Sequence, residues 1–249
     1  MPESQDLDSG PHWDEVVDVI CVGPGLGALS YGLCCAAADL DVLLVEAPVE
    51  PDPVLAGLLG AMTEDLGDPQ PDPGLAVIAA GPEPAPVPSG RRSTMKSPLG
   101  APLEPFVGHQ LRDFSARCLA SPYGVMFSQV PDILTPMRTG TGESITVAIL
   151  GPYRPPLDAV LREQAEERGL TAQDRLVALV VDGGRIAGAA LQTSSGPWLV
   201  GANAGIAVSV GPMPSVLPQP EEADHAGNLD VAVVGRRFGR FARVELLRR

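Results

Sequence analysis

The feature that most constrains the fold is a strand–glycine turn–helix–strand pattern in residues 16–46. The first strand is apolar and β-branched, which is typical of a strand buried in a parallel sheet. Small, helix-compatible residues follow the turn, and a second apolar strand ends at the acid Glu46. Together the segments predict one βαβ unit. They are residues 16–22 (VVDVICV), 23–27 (GPGLG), 28–38 and 41–45 (DVLLV).

The glycine turn has the residue types that the phosphates of a dinucleotide need. Gly23 permits a sharp turn, Gly25 lets a pyrophosphate approach the backbone, and the small Ala28 lets helix and strand pack closely. The helix N-terminus offers N–H groups and a partial positive charge to the anion. Glu46 lies 18 positions after Ala28, where an acid accepts hydrogen bonds from ribose hydroxyls and repels the extra phosphate of NADP. The candidate cofactor-binding residues are therefore Gly23, Pro24, Gly25, Leu26, Gly27, Ala28 and Glu46.

The remaining patterns predict further helices and a strand-rich second half. A helix begins after Pro156 and ends at Gly169, and two strands are joined as a hairpin by Asp182-Gly183-Gly184. We therefore expect an α/β fold with a Rossmann-like FAD/NAD(P)-binding βαβ core and an additional β-meander. The predicted helices are residues 55–66, 106–120 and 157–169, and the predicted strands are residues 143–150, 176–181, 185–192, 197–200 and 204–210.

Composition divides the chain into three parts. Residues 1–13 are polar and acidic and are expected to be a flexible tail, residues 14–211 to be the Rossmann-like domain, and residues 212–249 to be a C-terminal extension with an Arg-rich tail. Residues 47–105 hold 13 of the 27 prolines and form a Pro-rich insertion. Within it, residues 82–88 (PEPAPVP) alternate proline and predict an extended linker.

Charge is distributed unevenly along the chain, whose formal net charge is -14. Residues 1–90 contain no Lys or Arg, whereas six arginines lie in the last 14 positions. The net charge argues against nucleic acid as a partner, and no apolar run is suited to membrane insertion. The basic tail is predicted to be a solvated helix or a frayed end, or alternatively a docking element for an acidic surface.

The cysteines and histidines do not have the spacing of a metal site. No Cys-x-x-Cys pair occurs and the three histidines are far apart, so no zinc site is expected. Free buried thiols and an acidic N-terminus without a signal peptide predict a cytoplasmic protein. The four cysteines are Cys21, Cys34, Cys35 and Cys118.

Two stretches resemble the FAD-binding fumarate reductase/succinate dehydrogenase flavoprotein and 3-ketosteroid dehydrogenase family. The first is WDEVVDVICVGPGLGALSYGLCCAAADLDVLLVE at residues 13–46, and the second comprises LDAVLREQAEERGL, VVDGGRIAGAAL and GPWLVGANAGIAVSVG between residues 157 and 211. The resemblance implies FAD as the cofactor, with its ADP part on Gly23, Gly25, Ala28 and Glu46. It also implies that residues 209–211 lie near the cofactor.

The sequence departs from this family's pattern at two points. After the acid, APVEPDPV stands where the family has a Gly-Gly-Thr/Ser segment. Ser209-Val210-Gly211-Pro212 replaces the usual Thr-Gly-Gly, and the proline removes a hydrogen-bond donor. The family's large substrate domain and its C-terminal Gly-rich segment also have no counterpart here, so the resemblance identifies the chain as a truncated member that lacks the substrate domain.

No residue is assigned a catalytic role. Tyr31 and Tyr123 are interpreted as packing and turn residues, and Tyr153 is the remaining tyrosine. His109 with Arg112 on a helix face is a weaker candidate for polarising a carbonyl, because that helix has the spacing of a core-facing helix.

These observations lead to two main hypotheses. The first is an FAD-binding, flavoprotein-like protein without independent catalysis. The alternative is a non-catalytic accessory subunit or pseudoenzyme that uses a Rossmann scaffold to hold a partner, and either one predicts a homo-oligomer or a complex with a second chain. An NAD-dependent reductase would have the same glycine turn, but the sequence shows no Ser-Tyr-Lys or His-based hydride site.

Overall fold

The computed structural model describes residues 11–23, 25–49, 52–64, 66, 74–81, 105–172, 174–211 and 228–248, with the backbone alone for residues 105–110. This part of the chain contains four helices and thirteen strands in two sheets, in agreement with the expected α/β class. The helices are α1 (Leu26–Ala37), α2 (Pro53–Thr63), α3 (Pro105–Ala120) and α4 (Leu157–Glu167). The strands are β1 (Glu15–Val17), β2 (Val19–Val22), β3 (Val42–Val45), β4 (Val77–Ala79), β5 (Gly124–Phe127), β6 (Thr135–Arg138), β7 (Ser144–Pro152), β8 (Arg175–Asp182), β9 (Arg185–Thr193), β10 (Gly196–Ala202), β11 (Ile206–Ser209), β12 (Leu229–Gly235) and β13 (Phe241–Arg248).

The predicted βαβ unit is confirmed. Strands β2 and β3 pair in parallel, from Val19 opposite Val42 to Val22 opposite Val45, and α1 connects them. The helix begins directly after Gly25, two residues before the predicted start at Ala28. Buried apolar strands on either side of a glycine turn require such a crossover helix.

Beyond this unit the larger sheet changes direction. Strand β11 pairs in parallel with β2, but β5 is antiparallel to β11. From β5 the order continues through β13, β12, β7 and β6 with antiparallel pairing, and β4 lies parallel to β13. The result is a nine-stranded mixed sheet. Its strands β3, β2 and β11 are parallel to one another, and the glycine turn follows β2.

The basic C-terminal segment corrects a sequence-based expectation. Residues 229–248 form β12 and β13, whose pairing runs from Leu229 opposite Arg248 to Gly235 opposite Ala242. Both strands are almost entirely buried, so the expectation of a solvated helix or a frayed end is wrong. The expected domain division, with an extension from residue 212, stays a prediction.

The predicted β-meander is also present. Strands β8, β9 and β10 pair antiparallel, and β1 joins them parallel to β10. The sequence predicted residues 16–22 as one strand, but the structure divides them at Asp18, so that β1 and β2 belong to different sheets. Trp13 packs over Gly188 of β9 and its paired residue Gly201 of β10. A Cβ at Gly188 would lie 2.6 Å from the indole ring, and one at Gly201 would lie 3.1 Å from it.

The meander sheet is attached to the parallel unit directly after β3. The Glu46 N–H donates to the Asp174 carbonyl (2.8 Å), and the Glu46 carbonyl accepts from the Leu176 N–H (3.0 Å). Asp52, which caps α2 and is buried, also accepts from the Leu179 N–H (3.3 Å). The end of β3 and the start of α2 are therefore both fixed to β8.

Most of the remaining local predictions agree with the structure. The helices predicted at residues 55–66 and 106–120 correspond to α2 and α3. The four cysteines are free and buried, as expected. The proline-alternating linker at residues 82–88 lies outside the described residues. Within the described part of the chain, no helix has the length and apolarity needed to cross a membrane.

Candidate functional site

A cavity of about 580 Å³ lies beside the glycine turn, at the carboxyl ends of β2 and β3. Gly23 and Glu46 lie on its wall, together with Arg162 and Glu166 of α4 and Thr171 after it. The other described residues of the wall are leucine, valine and alanine. Ligands of open α/β sheets bind outside the carboxyl ends of parallel strands, and volumes of 300–1,000 Å³ are typical of small-molecule sites.

Gly23 brings the ends of the two strands together. Its φ of 96° is a conformation that favours glycine, and its N–H donates to the Val45 carbonyl (3.0 Å). The turn therefore leaves β2 directly beside the last residue of β3. This contact places Glu46 next to the glycine turn, as the sequence predicted.

Glu46 makes an ion pair across the two sheets. Its Oε2 lies 2.5 Å from Arg175 Nη2 and 3.1 Å from Arg175 Nε, and each side chain is 48% exposed. Both hydrogen bonds use Oε2, so Oε1 can still accept from a ligand hydroxyl. Arg175 orients the carboxylate while leaving one of its oxygens for binding.

Ser209, the last residue of β11, lies against the glycine turn. Its Oγ accepts a hydrogen bond from the Ala28 N–H (3.2 Å) and donates one to the Gly25 carbonyl (3.1 Å). A Cβ at Gly25 would lie 2.6 Å from the Ser209 Cβ and Oγ. Gly25 therefore accommodates Ser209, and one of the first N–H groups of α1 is already satisfied within the chain.

The predicted cofactor-binding residues divide into two groups. Gly23 and Glu46 line the cavity, whereas Gly25, Leu26, Gly27 and Ala28 are buried and do not line it. Pro24 lies outside the described residues.

Gly27 has a packing role at the start of α1. A Cβ there would lie 2.6 Å from the Gly124 carbonyl carbon and 2.8 Å from the Tyr123 carbonyl oxygen. The glycine lets α1 approach the backbone of β5. Binding roles for residues 24–28 stay a prediction.

The tyrosines lie in the core. Tyr31 is 3% exposed, its ring centroid is 4.6 Å from that of Phe127, and burial raises the pKa of its phenol well above the ordinary value. Tyr123 and Tyr153 are also buried, and burial raises the pKa of Tyr153. The interpretation of Tyr31 as a packing residue is confirmed. Arg112 is exposed on α3, and the side chain of His109 lies outside the described residues.

Three residues around the site were not assigned from the sequence. Arg175 and Arg162 come from distant segments, and no local spacing connects either one to Glu46. Thr171 follows the glycine that ends the α4 segment and lies on the cavity wall. Ser209 had a signal, because the resemblance placed residues 209–211 near the cofactor.

Comparison with known proteins gives limited similarity. No protein-family model and no curated protein matches the sequence. An open-conformation flavocytochrome c3 fumarate reductase is 17% identical (TM-score 0.32), with 76% of this chain and 33% of that chain covered. A Rhodococcus jostii 3-ketosteroid-Δ4-(5α)-dehydrogenase is 19% identical (TM-score 0.34), with 78% and 46% covered. A myxobacterial FAD-dependent chondrochloren halogenase is 17% identical (TM-score 0.29), with 76% and 36% covered.

The chain thus spans less than half the length of these three structures. FAD is named as the cofactor of the halogenase. Because the TM-scores lie below 0.5, the site is interpreted from its own geometry.

Proposed function

We propose that this protein binds FAD through its adenosine part, in the cavity beside the glycine turn, and that it has no independent catalytic activity. The observation that carries the proposal is the meeting of Gly23 and Glu46 on one wall of a cavity of about 580 Å³. The parallel strands β2, β3 and β11 and the crossover helix α1 supply the scaffold that places them there.

The cavity has the two surfaces that an adenosine needs. Leucine, valine and alanine side chains from β3, α1 and α4 offer an apolar wall for a planar base. Glu46 offers Oε1 to the ribose hydroxyls, and Arg175 holds the carboxylate in place. A carboxylate acceptor strengthens a hydrogen bond to a hydroxyl relative to a neutral acceptor.

The absence of independent catalysis is proposed from the placement of the tyrosines. The resemblance to ketosteroid dehydrogenases would require tyrosines near the flavin, but all three are buried in the hydrophobic core. Catalysis also requires a preorganised site from which water is excluded. We expect no turnover of fumarate or 3-ketosteroids by this chain alone.

Replacing Glu46 by Arg is expected to weaken FAD binding by about 1.5–3 kcal/mol, because a hydrogen bond to a charged group is lost. The measurement is a calorimetric titration of FAD into the apo-protein. Glu167→Arg, which makes the same charge change outside the cavity wall, is the matched control and should bind as the parent does.

Unchanged FAD affinity in Glu46→Arg, with binding intact in the parent, would exclude this placement of the ribose. Because Glu46 also pairs with Arg175, thermal unfolding of each variant must be measured first. Glu46→Gln separates the hydrogen bond to the ribose from the ion pair with Arg175, since the amide keeps an acceptor oxygen but has no charge.

A second candidate function, a non-catalytic subunit that holds a partner, is favoured by the β12–β13 turn. Phe238 at its tip is 76% exposed and has a φ of 64°, which is rare for a bulky residue. The Arg237 guanidinium lies 4.8 Å from the Phe238 ring centroid, and Arg240 is exposed nearby. An exposed aromatic side chain beside arginines is a typical centre of a protein interface.

Replacing Phe238 by Ser is expected to shift the protein from an associated form to a monomer, because the apolar contact at the tip is removed. The measurement is size-exclusion chromatography with light scattering, alone and in native lysate. Val49→Ser is the control, since Val49, four residues after β3, is equally exposed (76%). A parent chain that is monomeric in both preparations would contradict the subunit hypothesis.

A further inference from the structure

We infer that the cavity binds the neutral nucleoside part of its ligand and that the phosphates contribute little to the binding free energy. We further infer that Ser209 determines this preference for the nucleoside over the phosphates. This inference rests on the proposed function and narrows its ligand class. It departs from the expectation, drawn from the glycine turn, that Gly25 and the N-terminus of the helix bind the pyrophosphate. Three independent observations around the turn carry it.

The first observation is the position of Ser209. Its Oγ is hydrogen-bonded to the Ala28 N–H and to the Gly25 carbonyl, at 3.2 and 3.1 Å. A phosphate at the start of α1 needs N–H groups of this first turn as donors. To reach the Ala28 N–H, a phosphate oxygen must displace the serine hydroxyl from both of its partners.

The second observation is the backbone that lies over the turn. A Cβ at Gly25 would lie 3.7 Å from the Pro122 carbonyl oxygen, and one at Gly27 would lie 2.8 Å from the Tyr123 carbonyl oxygen. Carbonyl oxygens are hydrogen-bond acceptors, so they repel a phosphate oxygen. Residues 25–28 are buried, whereas Gly23 and Glu46 line the cavity.

The third observation is the charge around the cavity. The described residues of its wall carry the carboxylates of Glu46 and Glu166 and the guanidinium of Arg162, and the Arg175 guanidinium is paired with Glu46 beside the wall. The chain has no Lys or Arg in residues 1–90, and its formal net charge is -14. The two carboxylates balance the two guanidiniums, so the site offers a diphosphate anion no net positive charge, and the negative charge of the chain disfavours such an anion relative to an uncharged nucleoside.

The experiment is a calorimetric titration of the full-length chain with adenosine, ADP and FAD. The expected dissociation constants agree within about threefold, because the shared nucleoside carries the affinity. A helix N-terminus that bound the phosphates would make ADP and FAD about tenfold or more tighter than adenosine. That result would overturn the inference and leave the proposed function standing, whereas binding of none of the three ligands would overturn both.

Ser209→Ala gives the second arm of the test. Removal of the hydroxyl leaves the Ala28 N–H without its intramolecular acceptor, so ADP is expected to bind about tenfold tighter while adenosine binds as before. Ser195→Ala, in the exposed β9–β10 turn, is the matched control and should change neither affinity. An unchanged ratio of ADP to adenosine affinity in a folded Ser209→Ala would overturn the role of Ser209. If that variant does not fold, the three ligands on the parent chain still decide the inference.

Discussion

Replacing Gly124 by Ala is expected to lower the free energy of unfolding by about 3 kcal/mol, at the upper end of the usual cost of overpacking a core. A Cβ at Gly124 would lie far inside van der Waals contact with the Cys118 carbonyl oxygen and 2.8 Å from its carbonyl carbon. Both atoms belong to the backbone of α3 and cannot rotate away as a side chain would. The measurement is urea-induced unfolding followed by circular dichroism.

Gly57→Ala is the matched control for this substitution. Gly57 lies within α2, is exposed, and a Cβ there would meet nothing within 4 Å. Alanine in a helix interior is about 0.5–1 kcal/mol more favourable than glycine, so this variant should be slightly more stable than the parent. Equal unfolding midpoints for Gly124→Ala and the parent would show that β5 and the end of α3 are not packed as described.

Replacing Arg243 by Met is expected to cost about 3–5 kcal/mol, because removing one partner of a buried ion pair leaves an uncompensated charge. Arg243 Nε lies 2.9 Å from Glu245 Oε1, and both side chains are 2% exposed. Arg243 also donates to the Gly74 carbonyl, and Glu245 Oε2 accepts from the Ala76 N–H (2.9 Å). The pair therefore fixes β13 to the segment that leads into β4.

The double variant Arg243→Met/Glu245→Leu separates an unpaired charge from general loss of packing. It should unfold at a higher urea concentration than Arg243→Met alone, because no buried charge remains without its partner. Arg185→Met, at an exposed arginine, should stay within about 0.5 kcal/mol of the parent. If Arg243→Met lowered the free energy of unfolding by less than Arg185→Met does, the result would contradict a stabilising role for the ion pair.

The sequence was sufficient to predict the βαβ unit, because strong local patterns specify it. Two apolar β-branched runs, a glycine turn and a helix of small residues all agree, and tertiary context does not override them. The hairpin of β8 and β9 was predictable for the same reason, since its turn Asp182-Gly183-Gly184 has a specific backbone requirement. Residues 16–22 were predicted as one strand because apolar periodicity does not show that Asp18 separates two sheets.

The C-terminal strands could not be predicted from local charge. The arginines of residues 236–249 indicated a solvated segment, but the charge of Arg243 is compensated by Glu245 within β13. Such compensation depends on which side chains lie on the same face of a strand. It also depends on the segment around Gly74, whose carbonyl accepts a hydrogen bond from Arg243. Composition alone cannot distinguish a buried ion pair from two solvated charges.

The candidate site was predictable in part. Gly23 and Glu46 directly follow two adjacent parallel strands, so their proximity could be predicted from the βαβ unit. Arg175 reaches Glu46 only because the meander sheet attaches after β3, which is a tertiary contact between distant segments. The glycine fingerprint also does not show that Ser209 and the backbone of residues 121–124 pack against residues 25–28, since packing and ligand binding both favour small residues there.

The central claim is that an adenosine-containing ligand binds beside Gly23 and Glu46. It is tested most directly by amide ¹H–¹⁵N spectra of the full-length chain during a titration with FAD. The account predicts saturable shifts that centre on the amides of Gly23, Glu46, Ala47 and Thr171, with the amides of Ala80 and Gly81 at a separate cavity unchanged. Saturable shifts that centre on Ala80 and Gly81, or no saturable shift at all, would contradict it.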